Sequence, residues 1–282
     1  MKTKIMKCVL AATISIVLLA ATVFATESSV DWGRGIIRAT GIGSYKKGET
    51  NPGLQRAQAK RAATIDAQRT LAECVMGVQV TSESSLKDLS LEYDVVKTRI
   101  DTIIKGMSES SVKYFDDGTC EVVYEMPMYG SNRALAAAAF LPFEDHEKVP
   151  FPEPTPIADE ENNSIVNGAA TNNYTGLVID CRGKKLNPVM SPVIRNNEGR
   201  SIYGFENLDI DKVIELGMAS YTLTPNDEIS RERAGNNPLV VKAVKLEKFN
   251  SNPVVSVDDA NKILIANQTD QFLDNCAVVF VR

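Results

Sequence analysis

The alternation of apolar and polar positions is clearest between residues 36 and 80, where it predicts a strand, a glycine turn, a long helix and a second strand. The helix should run from Pro52 to Met76, because Asn51 can cap its start, Pro52 suits its first position and Gly77 can end it. An apolar side of this helix carries Leu54, Ala57, Ile65, Leu71, Ala72, Val75 and Met76. A roughly opposite side carries Ala59, Ala63, Ala67 and Thr70, whose small side chains would let another backbone approach closely. The pattern therefore predicts a helix that is covered on two sides.

The segment after Gly77 continues as a compact domain. Alternating residues 78–82 predict a strand, and Ser85 should cap a helix that ends before Gly106. The turn Asp116-Asp117-Gly118 lies between two alternating stretches and indicates a β-hairpin. We therefore expect a first domain over about residues 30–130, in which one long helix packs on an antiparallel or mixed sheet.

A second domain is predicted over residues 174–282, again with mixed elements. Its expected strands are 175–181, 189–194, 201–205, 239–249 and 277–281, and its expected helices are 209–216, 224–234 and 256–266. The fold class is thus α+β, with two small mixed α/β domains.

The residues between the two domains, 131–173, have a different composition. Four prolines occur between 150 and 156, and this proline-rich stretch lies within a run of acidic residues that is followed by several asparagines. Such a composition predicts an extended, solvated interdomain linker. Docking of the proline-rich stretch onto a partner is the alternative.

The first 25 residues have the three parts of a secretory signal peptide: basic residues, an apolar core and a small-residue cleavage site at Val23-Phe24-Ala25. Cleavage after about Ala25 would export the protein to the periplasm or cell envelope. The alternative is a retained signal that acts as an anchor. No cysteine follows the small residues, so we expect no lipid anchor and at most peripheral membrane contact.

The charge balance excludes one class of partner and suggests another. The formal net charge is −5 and the sequence pI is about 5.2, which argues against nucleic acid. Basic residues nevertheless outnumber acidic ones over residues 26–76. The leading candidate interaction surface is the long helix with Arg56, Lys60, Arg61 and Arg69. The competing interpretation is an ordinary solvated helix whose alanine sides are simply core.

Four cysteines follow the signal peptide: Cys74, Cys120, Cys181 and Cys276. Their spacing matches no metal or redox motif. Pairing of Cys74 with Cys120 and of Cys181 with Cys276 would place one disulfide in each domain, and buried unpaired cysteines are the alternative.

Catalytic motifs are not evident. The single histidine, His146, falls in the predicted linker, which argues against a histidine-dependent nucleophile. Gly33-Arg34-Gly35 and Gly41-Ile42-Gly43 lack the remaining residues of a phosphate loop and are predicted to be strand-end turns. We expect no cofactor and no metal, and we expect that the protein is not an enzyme. A hydrolase that relies on carboxylates alone remains open.

Several short motifs carry a family resemblance over about residues 33–130. They are Thr40-Gly41-Ile42-Gly43, Ala57, Arg61-Ala62-Ala63, Asp66-Ala67, Leu71, Glu73 and Gly77-Val78-Gln79-Val80. In spacing, this part of the chain resembles the shared domain of Lpp-twenty-type bacterial envelope lipoproteins and the amino-terminal domain of flagellar assembly protein T (FlgT). Residues 174–180 and 237–243 resemble the tail that follows this domain in some exported bacterial proteins.

The resemblance implies a non-catalytic envelope protein and brings no catalytic residues with it. Its implied partners are other envelope proteins, including flagellar basal-body components, and it also allows a homo-oligomer. The lipid anchor of the lipoproteins is not carried over, because the chain lacks their attachment cysteine. We therefore expect an exported protein that acts in structural assembly or protein–protein interaction. A module that binds a small ligand or cell-wall glycan is the alternative, and the carboxylate-only hydrolase is the third.

Overall fold

The computed structural model describes residues 27–156 and 173–282. The predicted signal peptide and linker residues 157–172 lie outside these ranges. Within them the chain is a mixed α and β protein, which confirms the predicted fold class. No helix in these two ranges combines the length and the apolar character needed to cross a membrane.

The first half is built on a four-stranded antiparallel sheet with the order β1-β2-β4-β3. Its strands are β1 (Ser28–Asp31), β2 (Ile36–Ser44), β3 (Ser111–Tyr114) and β4 (Thr119–Pro127). The predicted hairpin is confirmed as β3 and β4. Gly118 supplies the positive φ, +83°, that a tight hairpin turn needs.

The long helix, α1, spans Pro52–Met76 as predicted. The Asn51 side chain accepts hydrogen bonds from the N–H groups of Gly53 and Leu54, at 2.9 and 3.2 Å. The cap therefore satisfies two of the donors that a helix start leaves without an intrahelical partner.

The predicted second helix is present but divided. Helices α2 (Leu86–Glu92) and α3 (Asp94–Lys105) are separated by Tyr93, which is extended. Ser85 and Asp88 form a reciprocal capping box at the start of α2.

The predicted strand at residues 78–82 is wrong. Val78 and Val80 are buried and Gln79 is exposed, as a strand pattern requires, but the segment forms only one bridge, between Gln79 and Ser85. The N–H of Val80 donates to the carbonyl of Ser84, so the chain folds back on itself at once.

The strand-end turn predicted at Gly41-Ile42-Gly43 is wrong, because Gly41 and Gly43 lie inside β2. A Cβ on Gly41 would lie 2.1 Å from the backbone nitrogen of Ala67, and a Cβ on Gly43 would lie 2.2 Å from that of Ala63. Glycine is therefore required where the alanine side of α1 crosses β2. The close helix–strand approach that the alanines suggested is made here.

The second half contains two further sheets. The parallel sheet has the order β8-β12-β5-β9 and consists of β5 (Gly176–Asp180), β8 (Ser220–Thr222), β9 (Pro238–Lys242) and β12 (Val278–Val281). A smaller mixed sheet, ordered β10-β11-β6-β7, consists of β6 (Ile194–Asn196), β7 (Ser201–Tyr203), β10 (Lys245–Glu247) and β11 (Asn252–Val255). Helices α5 (Ile210–Leu216), α6 (Glu228–Ala234) and α7 (Val257–Asp270) confirm the three predicted helices. The bounds of α5 agree with the prediction, but α6 begins four residues later and α7 ends four residues later than predicted.

The described part of the predicted linker contains one buried stretch, residues 134–140. A short helix, α4 (Ala136–Ala139), is buried along its whole length. Phe140 stacks on Phe205 with ring centroids 5.2 Å apart. Thr155 exchanges two hydrogen bonds with the Asn261 side chain, of 2.7 and 2.8 Å. Residues 134–140 are thus buried and not solvated, because partners distant in sequence hold them. Residues 148–156 are extended and none of them is buried, as the composition predicts, although Thr155 is tied to α7.

One hydrophobic core runs through both halves and includes Leu71 from α1 and Phe280 from β12. Backbone hydrogen bonds also join the halves, since Met190 and Ser191 donate to the carbonyls of Gln79 and Val80, at 3.0 and 2.7 Å. The position of the domain boundaries remains a prediction, but the two halves share their packing.

Candidate functional site

The face of α1 that points away from the sheet is the main candidate site, and we call it the outer face of α1. It is defined by Leu54, Arg61 and Ile65, which fall close together on a helical wheel. Leu54 is 46% exposed and Ile65 is 59% exposed, although both are large apolar side chains. The expected cover on this side is therefore absent around Leu54 and Ile65, and the two-sided helix predicted from the pattern is wrong for this part of α1.

The burial of α1 explains this outcome. The buried residues are Ala59, Ala63, Ala67, Thr70, Leu71 and Val75. They include all four of the small-residue side, and only the last two belong to the predicted apolar side. Over most of its length, α1 therefore packs through small residues that bring its backbone close to β2. Only at its C-terminal end does it also pack through larger side chains, those of Leu71 and Val75.

The four basic residues predicted as an interaction surface do not form one patch. The guanidinium of Arg56 lies 5.8 Å from the centre of the Tyr114 ring, and Lys60 forms a 2.9 Å ion pair with Glu109. The hydrogen bond from Lys60 lowers the pKa of the Glu109 carboxyl. These two side chains are thus engaged along the β3 side of α1.

Arg69 is also engaged, through ion pairs of 2.9 Å each with Asp66 and Glu73. Arg61 is the remaining member of the set. It is exposed and makes no hydrogen bond or ion pair within the described residues. Of the four predicted residues, Arg61 is the one whose charge is free to meet another molecule.

The cysteines do not form the suggested disulfides. The structure has four free thiols, as the alternative of unpaired cysteines predicts: Cys74, Cys120, Cys181 and Cys276. All but Cys74 are buried. Burial raises the pKa of the Cys181 thiol to about 12, and it also raises the pKa of the Cys120 and Cys276 thiols. Protonated, buried thiols of this kind are poor nucleophiles.

A second concave region surrounds Trp32, in the turn between β1 and β2. Trp32 lines two open clefts, of about 390 and 460 Å³. Asp227 and Arg282 line the first cleft, and Glu215 and Arg233 line the second. Trp32 is not among the residues predicted to form a site, although its place as the only tryptophan, beside Gly33-Arg34-Gly35, was a usable signal.

The ring of Trp32 is fixed by the second half of the chain. It packs edge-to-face on Tyr221, with centroids 5.7 Å apart. A Cβ on Gly33 would lie 2.6 Å from the Ile229 side chain and 3.0 Å from the Tyr221 carbonyl oxygen. The turn and the parallel sheet thus form both clefts together.

The remaining chemical candidates do not assemble. His146 Nε2 lies 3.2 Å from the Glu206 carbonyl oxygen, and the ring packs against Phe205. Among the described residues, no three His, Cys, Asp or Glu side chains are grouped so that they could hold a metal ion.

Comparison with known proteins bears on the second half alone. Residues 176–282 match the family model of the second domain of Treponema pallidum Tp0624. This is a bacterial domain of unknown function. A search of curated proteins found no match to the chain. The second half is therefore similar to a known bacterial domain, while the resemblance of the first half to the Lpp-twenty-type and FlgT domains stays a prediction.

Proposed function

We infer that the protein is a non-catalytic component of the bacterial cell envelope that works by binding another envelope protein through the outer face of α1. The observation that carries the proposal is the exposure of Leu54 and Ile65 beside the unpaired Arg61. Apolar side chains around a free guanidinium are the composition of many protein–protein contact centres. The export-signal pattern of residues 1–25 and the family resemblance support a location in the envelope.

The charge of the outer face indicates what the partner should present. Arg61 forms no ion pair within the described residues, so its guanidinium is available to a carboxylate on the partner. Leu54 lies about two helical turns before Arg61, and Ile65 lies about one turn after it. The proposed partner surface is therefore an apolar groove with an acidic residue near its middle, and flagellar basal-body proteins are the first class to examine.

The experiment is site-specific crosslinking in intact host cells. A photoreactive amino acid replaces Ile65 in one variant and the exposed Glu198, in the turn between β6 and β7, in a matched control. We expect a discrete crosslinked envelope protein from position 65 and not from position 198. Crosslinking from both positions, or from neither, would contradict the assignment of this face.

A charge variant then tests the role of Arg61. Arg61→Glu should remove the crosslink formed from position 65, while Arg61→Lys should retain part of it. Because Arg61 is exposed and unpaired, neither change should alter the thermal unfolding midpoint. Recovery of a second copy of this chain as the crosslinked product would identify a homo-oligomer.

The clefts beside Trp32 favour a second candidate function, the binding of a cell-wall glycan or another small ligand. Aromatic rings flanked by carboxylate and guanidinium groups suit the stacking and hydrogen bonding of sugars. Because Trp32 is the only tryptophan, its fluorescence reports directly on both clefts. Saturable change of that emission on titration with soluble cell-wall fragments would support this candidate, and unchanged emission would oppose it.

A further inference from the structure

The hairpin formed by β10 and β11 ends in a tip with an unusual backbone. Lys248, Phe249 and Asn250 all have positive φ, at +48°, +55° and +61°. Non-glycine residues rarely adopt this region, and three in succession require support from their surroundings. Asn187 supplies it, because its backbone N–H donates to the Asn250 carbonyl and its side-chain amide donates to the Phe249 carbonyl, at 2.9 and 2.7 Å.

This backbone displays a large apolar side chain. Phe249 is 77% exposed and Val244, at the start of the same hairpin, is 54% exposed. A phenylalanine on a loose loop could fold back against the protein. Here the hydrogen bonds from Asn187 hold the carbonyls of Phe249 and Asn250, so the ring stays directed outward.

Two chain segments meet at this place, 180–187 and 242–250. Their contact is fixed at both ends, by the Ala243 N–H to Asp180 carbonyl bond of 3.0 Å and by the bonds from Asn187. Together the two segments hold six basic residues against two acidic ones: Arg182, Lys184, Lys185, Lys242, Lys245 and Lys248, with Asp180 and Glu247. We call this region the basic hairpin patch.

The local charge contrasts with that of the whole chain, which is net acidic. Asp180 is held by Arg182 at 2.7 Å and Glu247 by Lys245 at 2.7 Å. Lys248 pairs with Glu83 of the first half at 2.6 Å. Lys184 and Lys185 have no ion pair within the described residues, so they leave the patch with uncompensated positive charge beside exposed apolar side chains.

We propose that the basic hairpin patch docks on an anionic phospholipid surface, with Phe249 and Val244 entering the interfacial layer and the lysines contacting the headgroups. An anionic membrane is the proposed partner because its charge complements that of the patch. Clustered lysines attract an anionic bilayer, and an aromatic ring partitions into its interface. The contact is peripheral and does not involve the outer face of α1. A membrane-docked second half would leave α1 free to bind a protein partner at the same time.

The test places a fluorescent reporter at the tip of the patch. Phe249→Trp is made in the full chain, and its emission is measured with vesicles of brominated phosphatidylglycerol and phosphatidylethanolamine. The unsubstituted protein, whose only tryptophan is Trp32, gives the background. We expect a blue shift and bromine quenching of the added tryptophan, both lost in high salt and on vesicles without phosphatidylglycerol.

Two charge variants in the Phe249→Trp background make the test specific. Lys184→Glu with Lys185→Glu should weaken vesicle affinity by at least about 30-fold, because each lysine contributes about 1 kcal/mol and the added carboxylates are repelled by the anionic headgroups. Lys46→Glu with Lys47→Glu, an exposed lysine pair in the loop before α1, makes the same charge change elsewhere and should leave affinity unchanged. Circular dichroism confirms that both variants are folded.

Absence of quenching would overturn the proposal. So would equal quenching on vesicles without the anionic lipid, because the local reporter would then show binding that does not depend on charge. Equal loss of affinity in both charge variants would also overturn it, since the effect would then arise from overall charge and not from the basic hairpin patch.

Discussion

Single residues decide how closely α1 approaches its sheet, and Gly41 is the most sensitive. A Cβ at this position would lie 2.1 Å from the Ala67 nitrogen and 2.4 Å from the Ala63 carbonyl oxygen. Both are backbone atoms of a regular helix, so neither can move alone. We expect Gly41→Ala to lower the free energy of unfolding by about 3 kcal/mol, as overpacked core positions do. Urea unfolding followed by circular dichroism measures this change.

Gly53→Ala is the matched control. Gly53 lies in the first turn of α1, and the nearest atom to an added Cβ is the Asn51 side-chain oxygen at 3.3 Å. Alanine is the better helix former, so this change should raise stability by up to about 1 kcal/mol. Equal effects of the two substitutions would mean that α1 does not pack on β2 as closely as described.

The contribution of Asp180 to the stability of the fold should depend on pH. The hydrogen bond from Arg182 is the main cause that lowers the pKa of this carboxyl to about 2. A carboxyl with a depressed folded-state pKa stabilises the fold above its unfolded pKa, near 3.9, and loses that contribution as the pH falls towards 2. NMR titration should find the low value, and Arg182→Gln should raise it towards that of an ordinary aspartate. An unshifted Asp180 in the unsubstituted protein would contradict the pairing.

At the scale of one element, α1 separates the residues that stabilise the fold from those that are free to bind. Leu71 is fully buried and Ile65 is 59% exposed, although both belong to the apolar side predicted from the sequence. We expect Leu71→Ala to cost about 3 kcal/mol of unfolding free energy and Ile65→Gln to change it by no more than about 0.5 kcal/mol. Comparable losses for both would show that the outer face of α1 is covered.

The sequence predicted the limits of α1 correctly because capping is local: Asn51, Pro52 and Gly77 act on their immediate neighbours. It predicted the packed side poorly because that choice depends on a distant strand. The glycines of β2 and the alanines of α1 were each visible, but a single sequence does not say that they face one another. The candidate site was limited in the same way, since partners such as Glu109 for Lys60 become known only with the sheet in place.

At the scale of the whole molecule, composition was a poor guide to which parts of the segment between the halves would be held in place. Prolines and acidic residues predicted a solvated spacer, yet Phe140 and Thr155 are held by residues far along the chain. A few groups are enough to hold such a segment in place, here a ring that stacks on another ring and a backbone that hydrogen-bonds to an amide side chain. The contacts that join the halves have sequence separations at which local pattern carries no information.

The side chain of Tyr129 packs between the two halves, and we call it the aromatic wedge. A Cβ on Gly217 would lie 2.7 Å from the Tyr129 ring, and a Cβ on Gly35 would lie 3.1 Å from it. The ring thus fits between a turn of the first half and the end of α5 in the second. Beside it, the Gly130 N–H donates to the Ile214 carbonyl at 3.1 Å.

Because the core and this wedge are shared, the two halves should unfold together. Trp32 fluorescence reports on the junction through its contact with Tyr221, and far-ultraviolet circular dichroism reports on the helices of both halves. We expect both signals to change at the same urea concentration, which is the test for a single cooperative transition. Tyr129→Ala removes the wedge and should lower the free energy of unfolding by about 3 kcal/mol. Both urea midpoints should then fall by the same amount. If the Trp32 signal changed first and the helical signal remained, the halves would be independent domains, and the shared core would contribute little to stability.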